Sequence, residues 1–260
     1  MKVVITTTGG GLFSLYHLAI EELLQFIYNN PTTTITEYKI VISDYHAINK
    51  KNLFDDYFLY DQTDTSTSTN LVVKDWKRLF IKIFDSPYYT QIKNIVKINS
   101  IKPEILEIVN KYKNDFNINN NTLAVHIRLT DMNRIHGSDY GSFNFNDYKN
   151  KIDTVLNQHN NIDNLFICSD NNESICKIKE IYGDKYSINY IEDSYREEKE
   201  SDGNEVIRWN DLNRFDDCHI KVFIEMLTAA KAKYYIYRVS DVSNFILAYS
   251  DTITDIYSIN

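Results

Sequence analysis

Cysteine, proline, glycine and positive charge are all scarce in this chain. Its three cysteines, Cys168, Cys176 and Cys218, are an odd number in 260 residues. They fall in no CxxC or Cys/His spacing, which argues against a disulfide framework and a zinc site. Buried thiols in a reducing compartment are the expectation. With 3 prolines and 7 glycines, collagen-like and linker-rich architectures are excluded. No apolar run approaches the ~18 to 20 residues needed to span a bilayer. The opening Val3-Val4-Ile5 is also too short for a signal peptide, whose apolar region needs ~7 to 15 residues. No transmembrane segment and a cytoplasmic localisation are therefore expected. Lysine and arginine number 28 against 36 acidic residues, a net charge of −8. Duplex nucleic acid is a poor fit, because neutralising its phosphates needs a cationic surface. A local basic pocket remains open.

What is present is an ordinary globular composition, 43% hydrophobic and 25% charged, with alternating strand and helix patterns. Val3-Val4-Ile5 runs into three threonines and the glycines Gly9, Gly10 and Gly11. Helical spacing follows from Leu12 to Tyr28, and Tyr38 to Asp44 reads as a second strand. This is the β-α-β rhythm of a parallel sheet. Residues 61–70 read as a solvated loop, and helical spacing returns over 74–84 and 103–113. The Asn-rich stretch 117–121 marks the cheapest place for a turn or linker. Beyond it come strands at 122–127, 164–170, 187–191 and 233–237, helices at 145–157, 173–182 and 216–232, a charged loop at 193–205 and a last helix from Phe245. The expected organisation is α/β, with one Rossmann-like domain over 1–115 and a second over 116–260.

Three predicted strands of the second half end in polar residues. In open α/β sheets, ligands bind beyond the carboxyl ends of the strands. The first strand ends in Val125-His126-Ile127-Arg128-Leu129-Thr130-Asp131. Arg128 can grip a phosphate bidentately, and Asp131 can hold that guanidinium or form a surface ion pair with it. The second strand ends at Ser169-Asp170. The third runs into Arg238-Val239-Ser240-Asp241-Val242-Ser243-Asn244, where Ser243 and Asn244 can cap a helix and turn N–H groups toward an anion. The glycine triplet matches neither the P-loop nor the dinucleotide fingerprint. The acid pairs, Glu21-Glu22 and Asp216-Asp217 among them, read as solvated or helix-start charges. His17, on the first helix, reads as a helix-surface or acceptor-side residue.

The segment His126-x-Arg128-x-Thr130-Asp131, the strand ending in Ser169-Asp170 and the block from Asp217 to Phe245 together resemble the three ordered motifs of the GT-B fucosyltransferases. The glycine loop before the first helix is similar to their N-terminal loop. The resemblance implies a GT-B-like fold, two Rossmann-like domains facing across a cleft, with acceptor side over 1–115 and nucleotide-sugar side over 116–260. It also implies an inverting fucosyl transfer from GDP-fucose to a glycan acceptor, with no essential metal and no cofactor beyond the donor.

By the same resemblance Arg128 meets the diphosphate, His126 and Asp131 support the nucleotide site, and Asp170 reaches the nucleoside. Ser240 or Ser243, with Asn244, binds phosphate, and Gly10 and Gly11 let backbone approach the ligand. Relatives often carry a second basic residue after the motif arginine, where this chain has Leu129, so Arg134 or Arg238 are substitutes. The base that accepts the acceptor proton falls near His136 or Asp139. Two other readings are a transferase for another nucleotide sugar and a catalytically silent nucleotide- or glycan-binding protein.

Overall fold

The computed structural model describes residues 1–7, 12–42, 58, 68–73, 87–129, 144–194, 196 and 215–259. In chain order the elements are β1 (Lys2–Thr7), α1 (Leu12–Asn29), β2 (Glu37–Ile42), β3 (Thr69–Val72), α2 (Tyr89–Val96), α3 (Pro103–Asp115), β4 (Thr122–Ile127), α4 (Phe145–Gln158), β5 (Asn164–Ser169), α5 (Asn172–Tyr182), β6 (Ser187–Asn189), α6 (Phe215–Ala229), β7 (Tyr234–Tyr237), α7 (Asp241–Tyr249) and β8 (Asp255–Ser258). They form two units. The first is Met1–Glu107 with Ser240–Tyr249, and the second is Ile108–Val239 with Ser250–Asn260.

The first unit is built on a parallel sheet in the order β2-β1-β3. β1 is paired on both sides, and its Val3 and Ile5 are buried beside Tyr38 and Ile40 of β2. On α1, Tyr16 to Glu21, Leu23 and Leu24 are buried, so this part of the helix is covered on more than one side. α7 belongs to this unit although it lies at the far end of the chain. Its residues Val242 to Ala248 are all buried, so it needs cover on every side. The Phe245 ring meets Tyr16 edge-on at 5.3 Å, and the Tyr89 hydroxyl donates to the Leu247 carbonyl at 2.9 Å.

The second unit holds five parallel strands in the order β6-β5-β4-β7-β8. From β4 the chain winds outward through α4, β5 and α5 to β6, then returns through α6 to lay β7 on the opposite side of β4. All six residues of β4 are buried. Leu123, Val125 and Ile127 share one core with Leu165, Ile167, Tyr234 and Ile236, beneath Tyr148, Ile152 and Val155 of α4 and Ile175 and Ile178 of α5. Each such aliphatic side chain contributes about 1.5 to 3 kcal/mol when fully buried. Ala124, His126, Phe166, Cys168, Tyr235 and Tyr237 alternate to the other face and are buried as well. The strands therefore read as continuous apolar runs, as parallel strands covered on both faces do.

Several boundaries differ from the sequence pattern. The division of units falls within α3, at Glu107/Ile108, and not at 115/116. The Asn-rich stretch is a helix stop. Asn117 takes a left-handed conformation, φ 49°, and Ile118 N–H donates back to the Lys113 carbonyl at 2.8 Å, the Schellman closure. The last helix starts at Asp241, four residues before Phe245, because Ser240 caps it. β3 begins inside the stretch read as loop, and α2 and β8 were not anticipated. The helix expected over 74–84 lies outside the described residues. Cys168 is buried as expected, whereas Cys176 on α5 is exposed.

The left-handed stop gives a stability prediction. Asn117→Gly should be more stable than Asn117→Ala by about 1 kcal/mol, because a Cβ is penalised in that conformation. Urea midpoints of the two variants check it, and an alanine variant as stable as the glycine variant would contradict it.

Candidate functional site

The strand order of the second unit gives the place where doubly wound sheets take ligands. β4 leads to β5 on one side, and β7 pairs with it on the other, so the crossovers diverge between the carboxyl ends of β4 and β7. A crevice opens at such a switch point in doubly wound sheets. Arg128 follows β4 there, Arg238 follows β7, and Asp170 follows β5.

The backbone around Arg128 is held by side chains from two other elements. α4 starts with a capping box in which the Asn144 side chain accepts from Asn146 N–H at 2.8 Å and Asp147 accepts from Asn144 N–H at 2.7 Å. That start sets the helix rotation that turns Tyr148 into the sheet. The Tyr148 hydroxyl accepts the Arg128 N–H at 3.2 Å. The next N–H, of Leu129, donates to the Asp170 carboxylate at 3.2 Å. Asp170 is steadied in turn by its neighbour. Asn171 caps α5 through bonds from Ser174 N–H at 2.8 Å and the Ser174 hydroxyl at 3.1 Å. Arg128 is half-buried while Arg238 is buried.

The electrostatics follow from burial. His126 is buried, and burial together with the Arg128 charge holds its pKa down to about 3, so the imidazole is neutral. Its Nδ1 has no hydrogen-bond partner among the described residues. The Tyr148 phenol is pushed well above its ordinary range by burial, and the charges of Asp170, Arg238 and Arg128 all bear on it. It keeps its proton at any physiological pH.

A second buried pair lies on the same unit. Arg196 and Glu225 meet at 2.6 Å with side-chain exposures of 2% and 4%, so the arginine of the segment read as a charged loop is buried. Its guanidinium also donates to the carbonyls of Ile191 at 2.6 Å and Ser194 at 3.1 Å. Burial pushes the Glu225 carboxyl up to about 8, against the pull of Arg196. An acid within the buried run Phe223 to Met226 of α6 was the available signal for this pair.

Ser240, Ser243 and Asn244 belong to the first unit. Ser243 Oγ accepts the Ser240 N–H at 2.8 Å and donates to the Ser240 carbonyl at 2.9 Å, while Ser240 Oγ accepts the Ser243 N–H at 3.1 Å. Asn244 N–H goes to the Ser240 carbonyl at 2.9 Å. These hydroxyls and N–H groups are engaged in starting α7. Gly10, Gly11, Asp131, Arg134, His136 and Asp139 lie outside the described residues. Among those described, no group of three or more His, Cys, Asp or Glu side chains could hold a metal ion. No helix among them is long and apolar enough to cross a membrane.

His17 and Glu21 are neither solvated nor on the helix surface, as their place in α1 suggested. His17 is buried, with Nδ1 at 2.9 Å from Asp241 Oδ1 and Nε2 at 3.2 Å from Glu21 Oε1. An i, i+4 spacing brings Glu21 under it, and α7 brings Asp241.

Comparison with solved structures fits this architecture. A NodZ alpha-1,6-fucosyltransferase crystallised with GDP is 10% identical over 98% of this chain and 94% of its own, at a TM-score of 0.57. NodZ from Bradyrhizobium is 10% identical over 98% of this chain and 95% of its own, at 0.53. A variant of Arabidopsis thaliana FUT1 in complex with GDP is 8% identical over 95% of this chain and 68% of its own, at 0.55. The chain has the fold of the GT-B fucosyltransferases, as its motifs led one to expect. No protein-family model and no curated protein sequence matches it.

The His17 cluster carries a pH prediction. Burial lowers the imidazole pKa, but the hydrogen bonds and charges of Asp241 and Glu21 outweigh it and leave the value above 6.5. A raised folded value means that the stabilisation is complete below the unfolded value of ~6.5 and is lost as pH rises through the folded one. The loss in unfolding free energy caused by His17→Gln should therefore be larger at pH 6 than at pH 9. Denaturant titrations at both pH values check this, and an equal loss would show that the imidazole is neutral throughout.

Proposed function

We propose that this chain is an inverting, metal-independent glycosyltransferase that moves fucose from GDP-fucose to the hydroxyl of a glycan acceptor. A cytoplasmic site of action, and no cofactor beyond the donor, are part of the same proposal. The observation that carries it is Arg128, half-buried at the carboxyl end of the central strand, at the switch point of a sheet whose fold is that of fucosyltransferases crystallised with GDP.

The chemistry asks two things of the protein. As the bond between the fucose C1 and the β-phosphate oxygen breaks, negative charge grows on the leaving diphosphate, and a fixed guanidinium stabilises it without reorganising. Arg128 has that charge, and Tyr148 and Asp170 fix the backbone that carries it. The acceptor oxygen bonds to C1 from the opposite face, and its proton passes to a base, for which the sequence offers His136 and Asp139. The neutral His126 takes no part in proton transfer at physiological pH; its unpartnered Nδ1 is placed two residues before Arg128 and suits a ligand hydrogen bond. One Asp170 oxygen serves Leu129 N–H, so its role toward the nucleoside falls to the other oxygen.

The test is thermal unfolding in EDTA with no ligand, GDP, GDP-fucose or UDP. A nucleotide at 100 times its dissociation constant stabilises by about 2.7 kcal/mol, a midpoint rise of a few degrees in a chain of this size. GDP and GDP-fucose should raise the midpoint, UDP should not, and Arg128→Ala should lose at least about 2 kcal/mol of GDP binding. No response to any nucleotide would overturn the reading. A response to UDP alone would assign a different donor.

A further inference from the structure

His17 is held between acids from two helices of the first unit. Its Nδ1 lies 2.9 Å from Asp241 Oδ1, at the start of α7, and its Nε2 lies 3.2 Å from Glu21 Oε1, one turn further along α1; the imidazole is 2% exposed. An ionised carboxylate only accepts hydrogen bonds. A neutral imidazole has one N–H and one lone pair, so it serves one of these acids and turns its lone pair on the other. The imidazolium has an N–H for each and the charge that both acids attract. The Nε2 contact is at ion-pair distance without the alignment of a hydrogen bond, which makes the bond to Asp241 the directional one of the two.

The elements packed around α1 leave the ring to these two acids. α2 packs on both helices and brings Tyr89 and Lys93, whose ammonium lies 5.7 Å from the centre of the Tyr89 ring. β1 and β2 carry Lys2, Glu37 and Lys39, of which the first two pair at 3.4 Å, and Tyr38 shares its hydroxyl with Tyr16 at 2.9 Å. Among the described residues, the charges that act on the imidazole are those of Asp241 and Glu21. α7 is held further along by the Phe245 ring against Tyr16 and by the bond from the Tyr89 hydroxyl to the Leu247 carbonyl. β7 and β8, which flank α7 in the chain, pair directly with each other, so the start of the helix can open without parting them.

We propose that His17 is a proton-operated latch: as the imidazolium it holds the first turn of α7 on α1, and when it gives its proton to solvent that turn opens. Loss of the proton leaves two buried carboxylates across one neutral ring, where like charges repel more than they do in water. Asp241 is the one that yields. Its side chain is 15% exposed against 6% for Glu21, and it stands at the end of its helix whereas Glu21 lies within α1. Opening also breaks the Ser240–Ser243 bonds that start α7. The raised pKa of the ring agrees with a closed state that favours the proton. Such a latch is strongest below the ordinary value of ~6.5 and weakens as pH rises through the value of the closed state. It needs no nucleotide.

The experiment is amide hydrogen exchange of the full chain from pH 6 to pH 9, read by mass spectrometry as protection over the intrinsic rate at each pH. α4 is the reference element, and circular dichroism checks folding. Wild-type α7 should lose protection by about threefold or more relative to α4 as pH rises, with no further loss once the ring is neutral. In His17→Gln, α7 should keep step with α4 throughout. A relative loss that survives in folded His17→Gln overturns the latch, as does a wild type in which α7 and α4 keep step. Should His17→Gln fail to fold, the wild type decides through the ring-nitrogen resonances of His17. These should titrate with the same midpoint as the protection of α7, and a ring that keeps one protonation state while α7 loosens overturns the proposal.

Discussion

The second unit depends on one constraint: β4 is paired on both sides and covered on both faces. A strand so enclosed is mostly apolar, and Thr122 to Ile127 are all buried, with Thr122 and His126 as its polar members. Because the chain leaves it toward β5 and comes back to it through β7, its carboxyl end is also where the connections diverge. The same pairing that stabilises the core thus holds open the place where a ligand can meet backbone and side chains from three strands. Polar residues begin as soon as the strand ends. Arg128, Asp170 and Arg238 follow β4, β5 and β7 within one residue of each strand's end.

Two clusters place charge where burial makes it expensive. Arg196 and Glu225 are both nearly inaccessible, and taking two ions from water costs several kcal/mol each before their attraction repays it. Such a pair is weak evidence for stability, but removing either partner leaves the other stranded. The carbonyls of Ile191 and Ser194 that share the Arg196 guanidinium tie the segment after β6 to α6. In the first unit, His17 stands between Glu21 and Asp241 and joins α1 to α7. Both clusters spend charge on fixing which elements meet, while the apolar cores supply the larger part of the folding free energy.

The strands and most helices of the second unit were legible because their apolar runs and 3.6-residue periods agree with their burial. Arg128 was legible for the same reason, since a strand that ends in a charged residue marks a sheet rim. The partnership of α7 with the first unit was not. Nothing local in Asp241 to Tyr249 says which core covers it, and only the fold brings Phe245 against Tyr16 and Leu247 against Tyr89. The capping role of Ser243 was legible too, and its hydroxyl and N–H bond with Ser240 at the start of α7. Glu21 read as a solvated or helix-start charge because acids on a helix usually are, and Arg196 read only as part of a charged loop. Their burial depends on partners 4 residues away for Glu21, and 29 away for Arg196.

The account comes down to whether the switch point of the second sheet holds a nucleoside diphosphate. A crystal structure of the protein with GDP answers this directly. The account predicts the diphosphate at the carboxyl ends of β4 and β7, with phosphate oxygens about 2.7 to 2.9 Å from the Arg128 guanidinium, as in charge-assisted bonds. GDP bound away from those strand ends, with Arg128 turned from it, would contradict the account.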